Sequence, residues 1–268
     1  MSIIVISRMP YSKGKEIAVK LAQKLHYHCL SRDDIAAMSE KFNISATEVL
    51  RAQHGAPSFF DRFTNGVERY QAFVREAFLR RIQHDDIVYH GLSAHVFVKY
   101  APNILKVGIV TNTEDRIQAL MAAKNYSRAK AVTILQKNDK GQSEWAHLRY
   151  GIDTRDPQQY DVILHIDQLS AADAVETLFH LARKPAFQTT EATRKQLANL
   201  LQAAKIQRRL VRYFPKAAVC CEGSNAHIQV AIPRLHQDKI IAQIKQLVAP
   251  IEGIRKLHFN IRGVYYPE

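Results

Sequence analysis

The chain begins with an unbroken β-branched run, Ser2–Ser7 (SIIVIS), that carries no helical period, so it predicts a strand buried on both faces. After a polar turn, Ile17, Leu21, Ala22 and Leu25 recur at helical spacing and predict an amphipathic helix over Lys15–Leu25. His26–Leu30 reads as a second strand. Ser31 is a candidate N-cap for a helix holding Ile35 and Met38. Ser45-Ala-Thr-Glu48 has the form of a capping box that opens a helix through Val49 and Leu50, and Gly55-Ala-Pro57 breaks it. Tyr70, Phe73, Val74, Ala77, Phe78 and Ile82 then mark a helix over Glu68–Ile82.

Further on, Ile87–Tyr89 predicts a strand ending at His90-Gly91, and Ile104–Val110 predicts another. Asn112/Thr113 cap a helix through Ile117, Leu120 and Met121, and Ser127 opens one to about Gln136. Tyr160–Ile166 is a further strand and Ala171–Leu181 a further helix. Strands alternating with helices imply an α/β domain with a mainly parallel sheet flanked by helices. Lys184–Thr190 reads as a linker. Beyond it the order becomes helix (Thr193–Val211), strand (Ala217–Cys221), turn (Gly223-Ser-Asn225), strand (His227–Ile232), helix (Gln237–Val248), strand (Lys256–Ile261). This αββαβ order implies a small α+β module. The domains expected are therefore 1–185 and 190–268.

Charge adds a second layer. The net charge of +13 suits an anionic partner. From Thr190 onward thirteen Lys/Arg face five Asp/Glu, a balance of +8, whereas the first 189 residues carry +5. The basic C-terminal module is expected to dock on an anionic phospholipid or protein partner. Nucleic acid ranks last, because no basic motif is interleaved with aromatics. No run approaches the roughly 20 apolar residues of a membrane span. Ile3–Ile6 is too short for a signal-peptide core. Three cysteines, two of them adjacent, give neither a disulfide framework nor a metal knuckle. The expectation is a cytoplasmic protein.

The chemistry concentrates where the first strand turns into the first helix, because a helix N-terminus in a βα unit offers free N–H groups and a positive dipole to phosphates. Against the phosphate-loop pattern G-x-x-x-x-G-K-[ST], Met9-Pro-Tyr-Ser-Lys-Gly14-Lys15-Glu16 keeps the second glycine and the lysine. Met9 replaces the first glycine, and Glu16 stands where a hydroxyl would hold Mg²⁺. Arg8, Ser12, Lys13 and Lys15 add three cations and a hydroxyl that attract a polyphosphate. Lys15 is the leading candidate for a β/γ-phosphate contact, with Arg8 and Lys13 as alternatives. Arg32 and Asp33 lie where an acceptor or a Mg²⁺-bound water could be held. His90, Gly91 and His95 bracket the turn after a strand, at the carboxyl edge where open α/β sheets bind ligands. Arg62, Glu68 and Arg69 form a polar cluster before a long helix, read as either a surface salt-bridge face or a substrate contact.

Several of these segments together resemble the cytidylate kinase-like family. Ile6-Ser-Arg8, Ser12-x-Gly14-x-Glu16-Ile-Ala18 and Leu21-Ala-x-Lys-Leu25 match its opening, I-S-R-x-x-G-S-G-G-x-E-I-A-x-x-L-A-x-x-L. Cys29-Leu-Ser-Arg32-Asp33, Val88-Tyr-His-Gly-Leu-Ser-Ala-His95, Thr113-Glu-Asp-Arg116-Ile117 and Asp139…Trp145…Tyr150-Gly-x-Asp153…Asp156-Pro…Tyr160-Asp161 follow in the family's order, over roughly residues 2–182. The resemblance implies a P-loop nucleoside-monophosphate-kinase fold with ATP and Mg²⁺ as cofactors, a lid, and Lys15 and Arg116 in catalytic positions. It implies ATP-dependent phosphoryl transfer to a nucleotide or related small acceptor. Three departures stand out. Tyr11 and Lys13 replace two loop glycines, and Gln142 replaces the lid arginine of D-x-x-R-x-x-W. Because charge stabilisation is most of phosphoryl-transfer catalysis, the alternative is a catalytically impaired nucleotide-binding regulatory protein. Lys140, Arg149 and Arg155 are candidates to replace the missing arginine. Gly223 and Gly253-Ile-x-Lys-Leu257 in the C-terminal module resemble a BON-like domain.

Overall fold

The computed structural model describes residues 1–37, 66–91, 94–98, 101, 103–232 and 237–263. Met38, the capping box at Ser45–Glu48, the break at Gly55–Pro57 and Arg62 lie outside these described residues. The chain divides into two compact units. One comprises Met1–Asp34 and His84–Thr193, the other Ile35–Gln83 and Arg194–Glu268.

The first unit is built on five parallel strands in the order β2-β3-β1-β4-β5. They are β1 (Ile3–Arg8), β2 (His28–Ser31), β3 (Ile87–Gly91), β4 (Ile104–Thr111) and β5 (Val162–Ile166). Central strand β1 is buried at every position from Ile3 to Ile6, as its apolar run requires when both faces are covered. Its even residues Ile4 and Ile6 join Val88, Leu105, Val107 and Ile109 beneath two helices, α1 (Gly14–Leu25) and α6 (Ala171–Ala182). Helix α1 turns Ile17, Ala18, Leu21 and Ala22 to this core, and α6 contributes Ala174, Val175 and Leu178.

α1 ends at His26, whose left-handed backbone (φ 59°) closes the helix, so β2 begins at His28, two residues later than expected. Ser31 does cap α2 (Arg32–Ala37). Its hydroxyl accepts from the Asp34 N–H at 3.2 Å while the Asp34 carboxylate accepts from the Ser31 N–H at 2.7 Å. Helix α4 (Thr113–Lys124) follows β4. Helix α5 starts behind Ser127 as expected but runs from Arg128 to Tyr150 rather than stopping near Gln136. Its polar middle lacks an apolar period, yet Lys, Gln and Glu there are good helix formers. Gly151, at φ 64°, ends it. The segment expected as a linker is tied to this unit. Thr189 N–H donates to the Met1 carbonyl (3.0 Å), its hydroxyl to Asp85 (2.7 Å), and Asn103 donates to the Ala186 carbonyl (2.9 Å).

In the second unit, α7 (Glu191–Leu210, shared with the end of the first), β6 (Ala218–Glu222), β7 (Asn225–Ile232), α8 (Gln237–Val248) and β8 (Lys256–Gly263) follow the expected αββαβ order. β6 and β7 form an antiparallel hairpin through Gly223-Ser224, where Gly223 takes φ 55°, and β8 adds parallel to β7. Ala226, Ile228, Val230 and Ile232 alternate inward onto Ile206, Leu210, Ile244 and Val248. α3 (Gly66–Ile82) belongs to the same unit. Its Glu76 carboxylate, 2% exposed, accepts from Arg80 at 2.7 Å and from Arg208 of α7. Among the described residues no helix is long and apolar enough to cross a membrane.

Candidate functional site

The turn from β1 to α1 wraps around the stem of Arg8. Ser12 holds it by donating its hydroxyl to the Met9 carbonyl at 2.8 Å and accepting the Gly14 N–H at 3.3 Å. A Cβ on Gly14 would stand 2.6 Å from Arg8 Cβ, so only glycine lets the chain pass there. Tyr11, in place of a loop glycine, keeps a left-handed backbone (φ 59°), a conformation that costs a non-glycine residue about 1–2 kcal/mol. Its ring offsets that cost by packing on the cluster of Ile117, Leu120, Ala131 and Leu135 between α4 and α5.

Arg116 secures the same loop from the other side. It is 2% exposed, and it donates Nε–H to the Pro10 carbonyl (3.0 Å) and both terminal amino groups to Asp139 of α5 (2.8 and 2.6 Å). The arginine expected in a catalytic position joins the loop to α5.

The half-buried Arg8 side chain points along the carboxyl edge of the sheet, where register sets Ser7 beside Gly91 and Ser31 beside His90. Its Nε–H donates to His90 Nδ1 at 3.3 Å. Burial lowers the Arg8 pKa, opposed by the field of Asp33, and Arg8 makes no ion pair among the described residues. Burial, then Arg8 and Lys15, push His90 down to about 4. His90 is thus neutral at pH 7, accepting at Nδ1 and carrying its proton on Nε2. Gly91 leaves space for the Tyr89 side chain, whose hydroxyl would lie 2.5 Å from an added Cβ. Lys13, Lys15, Glu16 and Asp33 are exposed. Glu16 pairs with Lys20 one turn on, at 2.6 Å, instead of turning into the loop.

So Arg8, Ser12, Lys13, Gly14, Lys15, Asp33, His90 and Gly91 gather at the ends of β1, β2 and β3. Arg32 begins α2 beside them, and Arg69 lies on α3 in the second unit. His95 belongs to a different cluster. It is 2% exposed, its Nδ1 lies 2.7 Å from Ser7 Oγ, and its ring packs 4.9 Å from that of Tyr160. Burial, helped by Lys106, lowers it to about 4, and its Nε2 is buried without a hydrogen-bond partner among the described residues. Ser7 and Tyr160 were not among the site residues expected from the sequence. Their signal was present in the I-S-R and Tyr-Asp motifs, but not their convergence.

A parallel sheet with a cation-rich turn at the end of its central strand defines the class, an α/β domain of P-loop kinase-like fold, with a small α+β module later in the chain. The chain belongs to the cytidylate kinase-like family, whose model matches residues 3–168. Among solved structures it is similar to an uncharacterized protein from Eubacterium ventriosum, at 16% identity and TM-score 0.51, over 67% of this chain and 97% of that one. Shikimate kinase from Bacteroides thetaiotaomicron also aligns, at 13% identity and TM-score 0.42, over 68% and 99% of the two chains. Dephospho-CoA kinase from Campylobacter jejuni aligns at 13% identity and TM-score 0.38, over 69% and 98%. No curated protein matches the chain.

Proposed function

We propose that the first unit binds the phosphates of ATP on the Arg8–Glu16 turn and transfers the γ-phosphoryl group to an oxygen of a nucleotide or related small acceptor. Arg8 carries this reading. It is a half-buried guanidinium at the carboxyl end of the central strand, partnered by a neutral imidazole and lacking an ion pair among the described residues. A desolvated cation of this kind calls for an anion. Lys15 and Lys13, exposed on the same turn, reach outward to the outer phosphates. Arg116 acts as a positioning residue for the turn. In the reaction the bond from γ-phosphorus to the ADP oxygen breaks, and one to the acceptor oxygen forms. A hydroxyl acceptor gives up its proton to solvent.

For Mg²⁺, the described residues contain no group of three or more His, Cys, Asp or Glu that could hold a metal ion. A Mg²⁺ ion that arrives on the nucleotide needs only one or two carboxylates beside phosphate and water. Asp33, whose charge acts on Arg8 and His90, is the carboxylate we assign to it; Glu16 is engaged by Lys20. When bound, Mg²⁺ would supply charge neutralisation on the transferring phosphate.

A second reading, nucleotide binding with little turnover, draws on Gln142 in the lid and on Arg116 being fully engaged with Pro10 and Asp139. Calorimetry with Mg-ATP, beside ADP release over a panel of nucleoside monophosphates, separates the two. Binding with turnover supports the first, binding without turnover the second, and no binding overturns both. Lys15→Ala should weaken ATP about 5- to 150-fold, the equivalent of about 1–3 kcal/mol for a charge-assisted contact. Unchanged affinity would remove Lys15 from the site.

We further propose that the C-terminal module is BON-like and docks on an anionic surface in the cytoplasm. Its αββαβ order and its +8 balance after Thr190 support this. Co-sedimentation with phosphatidylglycerol vesicles tests it, and equal binding to neutral vesicles would contradict it.

A further inference from the structure

Between Ala192 and Cys221 the chain carries seven Lys/Arg and no Asp or Glu. The cations gather toward the end of α7 and the turn into β6, in the run Arg208-Arg209-Leu210-Val211-Arg212-Tyr213-Phe214-Pro215-Lys216. Local packing sorts this run into two sides. Leu210 and Val211 are buried, and Leu210, Phe214 and Ala217 join Ile206 in the core of the second unit. The Val211 N–H donates to the Gln207 carbonyl and the Phe214 N–H to the Leu210 carbonyl, so the helical winding continues past Leu210. That winding turns Arg209, Arg212 and Tyr213 outward together, at the spacing of one helical turn.

Arg208 is already engaged, since its Nε–H donates to the buried Glu76. Arg209, Arg212 and Lys216 are exposed and make no ion pair among the described residues. The Arg212 guanidinium lies 5.7 Å from the centre of the Tyr213 ring, a cation–π contact that holds cation and ring side by side. Tyr213 is 50% exposed, one of four large hydrophobic side chains left exposed among the described residues. The negative end of the helix dipole accounts for Arg208 and Arg209, which lie in the last turn of α7. It does not account for Lys216, beyond the helix, or for an exposed aromatic ring in the midst of the cations.

We propose that Arg209, Arg212, Tyr213 and Lys216 form the face by which the C-terminal module rests on an anionic phospholipid surface. The inference rests on the docking reading above and assigns it a face. Charge complementarity to lipid phosphates carries it, at about fivefold in partitioning for each Lys or Arg brought to the surface. Arginine stems lay their apolar carbons along such an interface while the guanidinium stays with the phosphates. A tyrosine ring suits the same depth, its apolar body toward the acyl chains and its hydroxyl toward water. Single-stranded nucleic acid fits less well, because it is held along a basic groove by successive aromatic rings, and this patch offers one half-exposed ring.

The probe is vesicles of equal parts phosphatidylglycerol and phosphatidylcholine, co-sedimented with the full chain at about 0.1 M salt beside pure phosphatidylcholine vesicles. Arg209→Gln/Arg212→Gln should weaken partitioning about 25-fold and Lys216→Gln about fivefold. Tyr213→Ser should weaken it further at every salt concentration, because the ring's share is apolar. Lys239→Gln/Lys245→Gln removes the same charge from exposed positions on α8 and should leave partitioning within about twofold, since screening limits each charge to its own neighbourhood. Circular dichroism checks each variant's fold, and Lys216→Gln, outside α7, decides if the helix variants unfold. Equal losses in the α7 and α8 double variants overturn the patch and leave the docking reading standing. A parent chain that binds anionic vesicles no better than neutral ones overturns the docking reading itself. Vesicle binding unchanged in folded Arg209→Gln/Arg212→Gln, with binding to an oligothymidylate lost, overturns the lipid assignment in favour of nucleic acid.

Discussion

Replacing Arg116 with methionine separates a tether from a catalyst. The side chain is 2% exposed and makes two charge-assisted bonds to Asp139 and one to the Pro10 carbonyl. Breaking a buried ion pair from one side costs about 3–5 kcal/mol, because the remaining charge is left uncompensated. Asp139 is 31% exposed, so water recovers part of that, and the loss should be nearer 2–3 kcal/mol. Methionine keeps most of the apolar volume against the α4–α5 cluster, which confines the change to charge and hydrogen bonding. Urea unfolding followed by tyrosine fluorescence and circular dichroism would measure it. Asp139→Asn should cost less, about 1 kcal/mol. The double variant Arg116→Met/Asp139→Asn should be less destabilised than the sum of the two, since no carboxylate is then stranded. Stability unchanged within about 0.5 kcal/mol, together with a turnover loss above about 100-fold, would refute the tether and assign Arg116 to the transferring phosphate.

Three other outcomes follow from the same geometry. Gly14→Ala sets a methyl group 2.6 Å from Arg8 Cβ, so it should destabilise by about 1–3 kcal/mol and weaken ATP binding, read by thermal melting and calorimetry. His90 and His95 both titrate near 4 when folded and near 6.5 when unfolded, so the unfolded chain binds more protons between those values. Stability should therefore be full above about pH 6.5 and fall toward pH 4, by a few kcal/mol for the pair, and His90→Gln/His95→Gln should flatten the urea midpoint over that window. Glu76→Ala removes the buried carboxylate that accepts from both Arg80 and Arg208 and should lower stability of the second unit by about 1–3 kcal/mol, with hydrogen exchange rising in α3 and α7.

Much of the fold was legible because the signals were local. The run Ile3–Ile6 can only be a strand buried on both faces, and Ile17, Leu21 and Ala22 can only face one side of a helix. The αββαβ order after Thr190 came from alternation in His227–Ile232 and from Gly223. What the sequence could not display were pairings between distant residues. Nothing local joins Glu76 to Arg208, yet that contact binds α3 to α7 within the second unit. The length of α5 was hidden because its middle is polar and helix propensity alone sustains it. At the site, Tyr11 replaces a loop glycine of the family pattern. The structure keeps the left-handed backbone there because α4 and α5 offer the ring a place to pack. The meeting of Ser7, His95 and Tyr160 depends on three segments whose motifs are individually short.

Titration of Mg-ATP into the intact chain, with Lys15→Ala beside it, tests the central claim most directly. The account predicts saturable binding at one site, weakened about 5- to 150-fold by the substitution. No measurable binding at millimolar ATP, or equal binding by the parent chain and the variant, would contradict it.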